Sequence, residues 1–317
     1  MRERAEAMVL ASFVADSHAL GAHMMYSMDE IASRHGRVER LLPPPPGSAH
    51  NGRPAGAQTS IGDQTLLLLR HLASHRAFDP PAFAAEWRTF MAANDGHRDE
   101  ATAVTLANMG AGRPVVEAGS DSEDLAAVSR VAPIVCRYRD DRNRLIEAAQ
   151  SQARITHNSS LAVETSGYIA RVLWNVLNGN TPLSAITAVA DAAEHRVADL
   201  LRAGLQSIDM GSGDAALTFG QGPRIESGLP LVVHLIAKYE GSLKDALIEN
   251  VAAGGDSAAR GMVVGMILGA FHGRDAIPDD WIESLRAYRE ISVLLEDLEA
   301  ALLRSTTEAV STAPWDA

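Results

Sequence analysis

Four short polar groups in this 317-residue chain combine residue types able to hold substrates, protons or cations. The first, Ser60-Ile61-Gly62-Asp63-Gln64-Thr65, precedes the apolar run Leu66 to Leu69. The second is Thr156-His157-Asn158-Ser159-Ser160, and the third is Gly254-Gly255-Asp256-Ser257-Ala258-Ala259-Arg260, ahead of Met262 to Phe271. The fourth, Ala15-Asp16-Ser17-His18, interrupts an apolar stretch instead of preceding one. Carboxylates at Asp16, Asp63 and Asp256 suit general acid–base work, stabilisation of a developing cation, or coordination of a hard metal ion. The first three groups equally suit N-capping, in which Asp, Asn or Ser accepts from free backbone N–H groups, worth about 1 kcal/mol each. Asp16 differs, because an acid within an apolar face is costly unless paired or hydrated. It reads either as a satisfied structural acid or as part of a site.

Helices have to position these groups. After Ser160, the residues Leu161, Tyr168, Ile169, Val172, Leu173, Val176 and Leu177 recur mostly at three- and four-residue spacing and form one apolar face. Asp79-Pro80-Pro81 reads as a helix start, with Phe83, Trp87, Phe90 and Met91 facing inward. Further helices are expected near residues 4–20, 63–75, 100–111, 122–138, 143–154, 183–205, 229–239, 243–252, 257–271 and 279–304. Clean two-residue alternation is absent, so the fold class is all-α: one compact domain over 1–304, then a polar, frayed tail over 305–317. Loops are expected from the proline run at Leu42 to about Ser60, and from Met210 to Gly222. Gln221 and Arg224, at the end of the second loop, are placed to close over a ligand.

Composition limits the function. The 40 acidic residues against 28 basic leave a net charge of −12, which argues against nucleic acid and anionic membrane as partners. Only 5% of residues are aromatic although 46% are hydrophobic, a balance that suits packed helices. The single Cys136 excludes an internal disulfide and sits in an apolar run, as a buried inert thiol does. Glu3 and Glu6 offset Arg2 and Arg4, and Asp16 ends the first apolar run early, unlike an export signal. No run approaches the roughly 20 apolar residues of a membrane span. A cytoplasmic protein acting on a small molecule is expected, with its oligomeric state open.

The order and wording of the polar groups resemble the ADP-ribosylglycohydrolase family over nearly the whole chain. That family's Gly-Asp-Ala-Leu-Gly-Ala-like signature is echoed by Ala15-Asp16-Ser17-His18-Ala19-Leu20-Gly21-Ala22. Its Thr-Asp-Asp-Thr metal motif falls on Gly62-Asp63-Gln64-Thr65, and its Gly-Gly-Asp-Thr-Asp-Thr motif on Gly254-Gly255-Asp256-Ser257-Ala258-Ala259. Arg130-Val131-Ala132-Pro133, Thr156-His157, Gly265-x-x-x-Gly269-Ala270 and Ile277-Pro278-x-x-Trp281 match further segments. The wording Gly-Asp-Gln-Thr and Gly-Gly-Asp-Ser-Ala-Ala-Arg is similar to the J1-crystallin-like branch.

The resemblance implies an all-α fold that cleaves ADP-ribosyl, ribosyl or related N- or O-glycosidic bonds, with Asp63 or Asp256 as base and Asp16 orienting substrate. It implies substrate contacts from Gln64, Arg130, His157, Asn158, Gly255, Ser257 and Arg260. Active dimetal members draw six ligands from positions that here read Gly62, Asp63, Gln64, Asp256, Ala258 and Ala259. Two carboxylates and one neutral carbonyl are too few for two magnesium ions. At most one Mg²⁺ is expected, between Asp63 and Asp256. Arg260 lies one turn after Asp256 and reads either as a substitute for a missing cation or as an ordinary intrahelical ion pair. The competing function is a catalytically silent ADP-ribose- or nucleotide-binding protein, or a structural crystallin-like one.

Overall fold

The computed structural model describes residues 1–311 except 76, 95 and 194, with the backbone alone for 195 and 304–311. Its helices are α1 (Arg2–Ala19), α2 (Met28–His35), α3 (Ser60–His75), α4 (Pro80–Ala93), α5 (Glu100–Gly110) and α6 (Val115–Ala118). There follow α7 (Ala126–Ser129), α8 (Ala132–Tyr138), α9 (Arg142–Thr156), α10 (Ser160–Leu177), α11 (Pro182–Ala192) and α12 (His195–Gln206). The last six are α13 (Ser212–Phe219), α14 (Ile225–Lys238), α15 (Leu243–Ala252), α16 (Ser257–His272), α17 (Asp279–Ser284) and α18 (Tyr288–Ser311). No strand occurs among the described residues, only three isolated bridges, so the fold is all-α as the periodicity indicates.

Two helices form the centre. Every residue of α1 from Ala7 to Ala19 is buried, and so is every residue of α16 from Ser257 to Ala270. A helix buried on all sides needs no polar face, which is why neither shows strong amphipathic periodicity. The two pack together through small residues. A Cβ at Gly265 would lie 2.6 Å from Ala11 O, and one at Gly269 would lie 2.5 Å from Ala11 Cβ. The remaining helices wrap this pair: α10, α14 and α15 pack on α16, while α8 packs on α1 and α18 packs on α3.

Several elements differ from the periodicity. The segment 122–138 is two helices, α7 and α8, broken at Arg130 and Val131 just before Pro133, whose ring lacks an N–H. The segment 183–205 breaks at Ala193, and 279–304 breaks at Leu285, both in extended conformation. The expected 210–222 loop contains α13, which buries Ser212, Ala215 and Ala216. Helix α2 escaped the pattern because it buries only Ile31, although Ser27 accepts from Glu30 N in a recognisable cap. Backbone of 305–311, expected in the tail, continues α18; residues 312–317 lie outside the described residues. The 42–60 loop is observed as expected, down to the start of α3 at Ser60.

The histidines at the far end of α3 hold α4. Asp79 N–H donates to His71 Nε2 (3.3 Å), so the ring's Nδ1–H donates to Glu86 Oε2 (3.0 Å). His75 stacks on His71 with ring centroids 4.3 Å apart. Cys136 is buried, and burial pushes its thiol up to about 12, which leaves it unreactive near neutral pH. No helix among the described residues is long and apolar enough to cross a membrane.

The α1–α16 contact yields a stability prediction. Gly265→Val should lower unfolding free energy by about 1–3 kcal/mol through overpacking, measured by urea denaturation. Unchanged stability would show that the two backbones can separate without loss.

Candidate functional site

Asp16 sits near the end of α1 with no exposed surface. Its carboxylate accepts from Thr59 N–H (2.7 Å) and Thr59 Oγ1 (2.6 Å), while Gln58 can donate to it at 2.8 Å. Thr59 Oγ1 in turn accepts from Ile61 N–H, so Asp16 anchors the residue that caps α3. Burial pushes Asp16 up to about 7. Gly62 fits this arrangement: a Cβ there would fall 2.2 Å from Asp16 Oδ2 and 2.5 Å from Gln58 Oε1. Thus Asp16 holds the loop and is sealed from a substrate.

Asp63, in the first turn of α3, is the most open of the three acids, with 22% of its side chain exposed. It pairs with the Arg53 guanidinium at 2.6 Å, and Arg53 Nη1–H also donates to Gln58 O (2.6 Å). Burial raises the Asp63 pKa and Arg53 opposes that rise. Arg53 lies in the proline-rich loop, where a single arginine carries no motif, so sequence reasoning missed it.

Gln64 is engaged within the protein. Its Oε1 accepts from Trp87 Nε1–H (2.8 Å) and Arg130 Nη1–H (2.8 Å), and its Nε2 donates to Ser60 O (3.2 Å). Arg130, expected to contact substrate, is likewise engaged within the protein. It is buried at the α7–α8 break and donates to Gln64, Gln152 and Thr156 Oγ1. His157, expected to contact substrate, is buried at the end of α9, with Nδ1 2.9 Å from Thr156 Oγ1 and Nε2 sealed and unpartnered. Asn158 is exposed, and its Nδ2 donates to Val116 O (3.1 Å).

Asp256 caps α16, accepting from Ala259 N–H at 3.3 Å, and lies 3.6 Å from His23 Nδ1. Burial raises its pKa, and the charge of Arg260 works against the rise. The expected Asp256–Arg260 ion pair is not formed. Arg260 is 1% exposed and folds back onto the end of α15, donating to Asn250 Oδ1 (3.1 Å), Asn250 O (3.1 Å) and Gly254 O (2.6 Å). Helix-end carbonyls that lack intrahelical partners account for this choice. Gly254 and Gly255 adopt φ of 70° and 73°, and a Cβ on Gly255 would lie 2.1 Å from Gln221 O. The Gly255 amide donates to Met25 O (2.7 Å), and its carbonyl accepts from Met24 N–H (2.9 Å), which leaves neither group for a ligand. Ser257 is buried with an unpartnered Oγ. Gln221 is locked to this turn through Ala253 O (2.6 Å) and Tyr26 O (3.1 Å), and Arg224 pairs with Glu123 (2.7 Å).

The motifs therefore meet, through residues that had not been singled out. His23, His50 and His97 run between Asp256 and the start of α3, with ring centroids 5.3 and 5.5 Å apart. Asp99, which caps α5, adds charge that acts on Asp256, Arg130 and His157, and the charges of Asp99 and Asp256 act on half-buried Asp124. Exposed Tyr26 lies close enough for Asp256 and Arg260 to influence it. A hollow of about 270 Å³ lined by Ser120, Ser122, Asp124 and Arg224 opens beside these acids. Two larger ones, about 690 Å³ each, lie away from them, between α1 and α18 and between α4 and α5. His23 and His97 lie in turns and loops without periodicity, and only their shared proximity gives them meaning.

Two predictions follow from this geometry. Gly62→Thr, which restores the residue type of the family motif, should displace Asp16 from Thr59 and destabilise the chain by about 1–3 kcal/mol; full retention of the melting temperature would contradict it. Burial pushes His18 down to about 4, and His23, His50 and His157 down to about 3. His35, His71 and His234 are also lowered, while Asp16, Asp63, Asp124 and Asp256 are raised. The unfolded chain takes up protons on the rings first, so their contribution is full above about pH 6.5 and is lost as pH falls. The raised acids act in the opposite sense but are fewer. Denaturation midpoints should therefore be higher at about pH 7 than at about pH 5; a flat or reversed dependence would refute the balance.

Comparison with known proteins places this geometry. An uncharacterized protein of Archaeoglobus fulgidus is 25% identical, over 96% of this chain and all of that protein. Crystallin J1A of Tripedalia cystophora is 20% identical, over 94% of this chain and 96% of its own length. Human ADP-ribosylhydrolase ARH3 is 33% identical over 64 residues, 20% of this chain and 18% of its own. A solved structure described as an ADP-ribosylglycohydrolase-related protein complex superposes with a TM-score of 0.76 at 22% identity, covering 95% of this chain and 98% of that one. A family model for ADP-ribosylglycohydrolase matches residues 1–308, and the chain therefore belongs to the ADP-ribosylglycohydrolase family.

Proposed function

We propose that this protein is a glycohydrolase that cleaves an ADP-ribosyl, ribosyl or related N- or O-glycosidic bond without the dimetal centre implied by the family motifs. The observation that carries the reading is the placement of Asp63 and Asp256. They stand at the starts of α3 and α16, which His23 and His50 link, while the residues beside them are engaged within the protein. Glycoside cleavage passes through an oxocarbenium-like state, which a nearby carboxylate stabilises or to which it directs water. Burial raises both acids, which brings a carboxylate base toward the working pH. Asp256 is the base in this scheme, Asp63 orients the sugar, and Asp16 positions the Thr59 loop.

The donor set does not fit two magnesium ions. Gly62, Ala258 and Ala259 offer no side-chain oxygen, the Gln64 carbonyl is shared by Trp87 and Arg130, and Arg53 occupies Asp63. A single ion between Asp63 and Asp256 would have to displace Arg53.

A second reading is favoured by the full-length similarity to crystallin J1A: a silent ADP-ribose- or nucleotide-binding protein, or a structural one. Turnover of ADP-ribosylated arginine, ADP-ribosylated serine and small nucleosides, with EDTA or with Mg²⁺, separates the two. The expected outcome is turnover of at least one substrate that EDTA leaves intact and that Asp256→Asn lowers about 100-fold or more. Activity lost in EDTA and restored by Mg²⁺ would overturn metal independence. ADP-ribose binding without any turnover, abolished in Asp63→Ala and Asp256→Ala, would establish the binder instead.

A further inference from the structure

The space between Asp63 and Asp256 is bordered by imidazoles whose protons the backbone assigns. Ser60 N–H donates to His50 Nε2 at 3.1 Å, and Ala258 N–H donates to His23 Nδ1 at 3.4 Å. A ring nitrogen that accepts a hydrogen bond carries no proton, so each neutral ring carries its proton on the other nitrogen. Both rings are largely buried, only 3% and 6% exposed, and a ring with an accepting nitrogen is neutral. His50 thus presents Nδ1–H, and His23 presents Nε2–H.

Among the described residues, neither N–H meets a protein acceptor. Neither is enclosed, in contrast to the sealed ring nitrogens His18 Nδ1 and His157 Nε2. Leaving a largely buried donor unpaired is unfavourable, so these surfaces call for an acceptor. Cationic charge acts on both rings, from Arg53 on His50 and from Arg260 on His23, while the Asp256 carboxylate faces only the accepting nitrogen of His23. Asp256 Oδ1 lies 3.6 Å from His23 Nδ1, the nitrogen that accepts from Ala258, and Asp63 is neutralised by Arg53 at 2.6 Å. Metal ions bind lone pairs, whereas the nitrogens left accessible on both rings carry hydrogens.

We propose that this space is an oxyanion subsite, in which His50 Nδ1–H, His23 Nε2–H and the Arg53 guanidinium hold a phosphate group of a small ligand where the family motifs point to cations. The inference rests on reading the cleft as a ligand site, and it does not require turnover. Neutral imidazole donors with one guanidinium suit the oxygens of a phosphate ester or diphosphate, which accept in several directions at once.

Long-range ¹H–¹⁵N correlation spectra of the labelled full chain test it directly. The expected result is a proton on Nε2 of His23 and on Nδ1 of His50, with both resonances shifting saturably on addition of inorganic pyrophosphate. His23→Gln and Arg53→Met should each weaken pyrophosphate binding about tenfold or more by calorimetry. His157→Gln, whose ring is sealed off, should leave that affinity unchanged. A bare nitrogen at either proposed donor position overturns the inference. So do resonances unmoved by pyrophosphate, and so does stoichiometric Mn²⁺ uptake that broadens both rings. Turnover together with unmoved rings would sink the subsite and leave the proposed activity standing; pyrophosphate binding without turnover of any substrate would do the reverse.

Discussion

The close approach of α1 and α16 is the constraint on which the rest depends. Gly265 and Gly269 have no room for a Cβ against Ala11, and Gly261 has none against Asn250, so these backbones meet with almost nothing between them. That approach brings the end of α1, with Asp16, His18 and then His23, beside the start of α16, with Asp256 and Arg260. The Met24–Met25 and Gly255 backbone pairing closes the junction, and the left-handed Gly254-Gly255 turn makes it possible. Around this pair the other helices are held by apolar burial, and the polar residues collect where the two helices end.

In the cleft, protein groups meet the demands of one another. Arg53 neutralises Asp63, Thr59 and Gln58 satisfy Asp16, and Trp87 and Arg130 share the Gln64 carbonyl. Buried polar atoms are costly when unpaired, and at Gly62 and Gln64 the substituted motif position is matched by a neighbour that uses it. Gly62 shows this clearly. It is more than the loss of a ligand, because its missing side chain is the space that the Asp16 carboxylate fills.

Long elements were legible and their interruptions were not. The amphipathic face of α10 and the Asp79 cap of α4 follow from spacing and from proline chemistry, and both are observed. The breaks at Ala193 and Leu285 occur without glycine or proline, where packing overrides local propensity. Within the candidate site, Asp63 and Asp256 stand at helix starts as their neighbours indicate. The partners of Arg260 and Arg130 were not legible, since an arginine side chain spans several possible acceptors. Arg260 reached backwards to Asn250 and Gly254 instead of sideways to Asp256, where carbonyls at and just after the end of α15 accept from it.

By itself the sequence determined the helical class, the family and the poverty of oxygen donors at the six metal positions, because these depend on residue type and order. Only the tertiary structure decided what stands in that space. Arg53, His23, His50 and His97 come from loops that lack any periodic signal, and they converge only after α1 and α16 have packed. Their chemistry depends on which backbone N–H points at which ring nitrogen, a matter of ångströms that spacing along a chain does not encode.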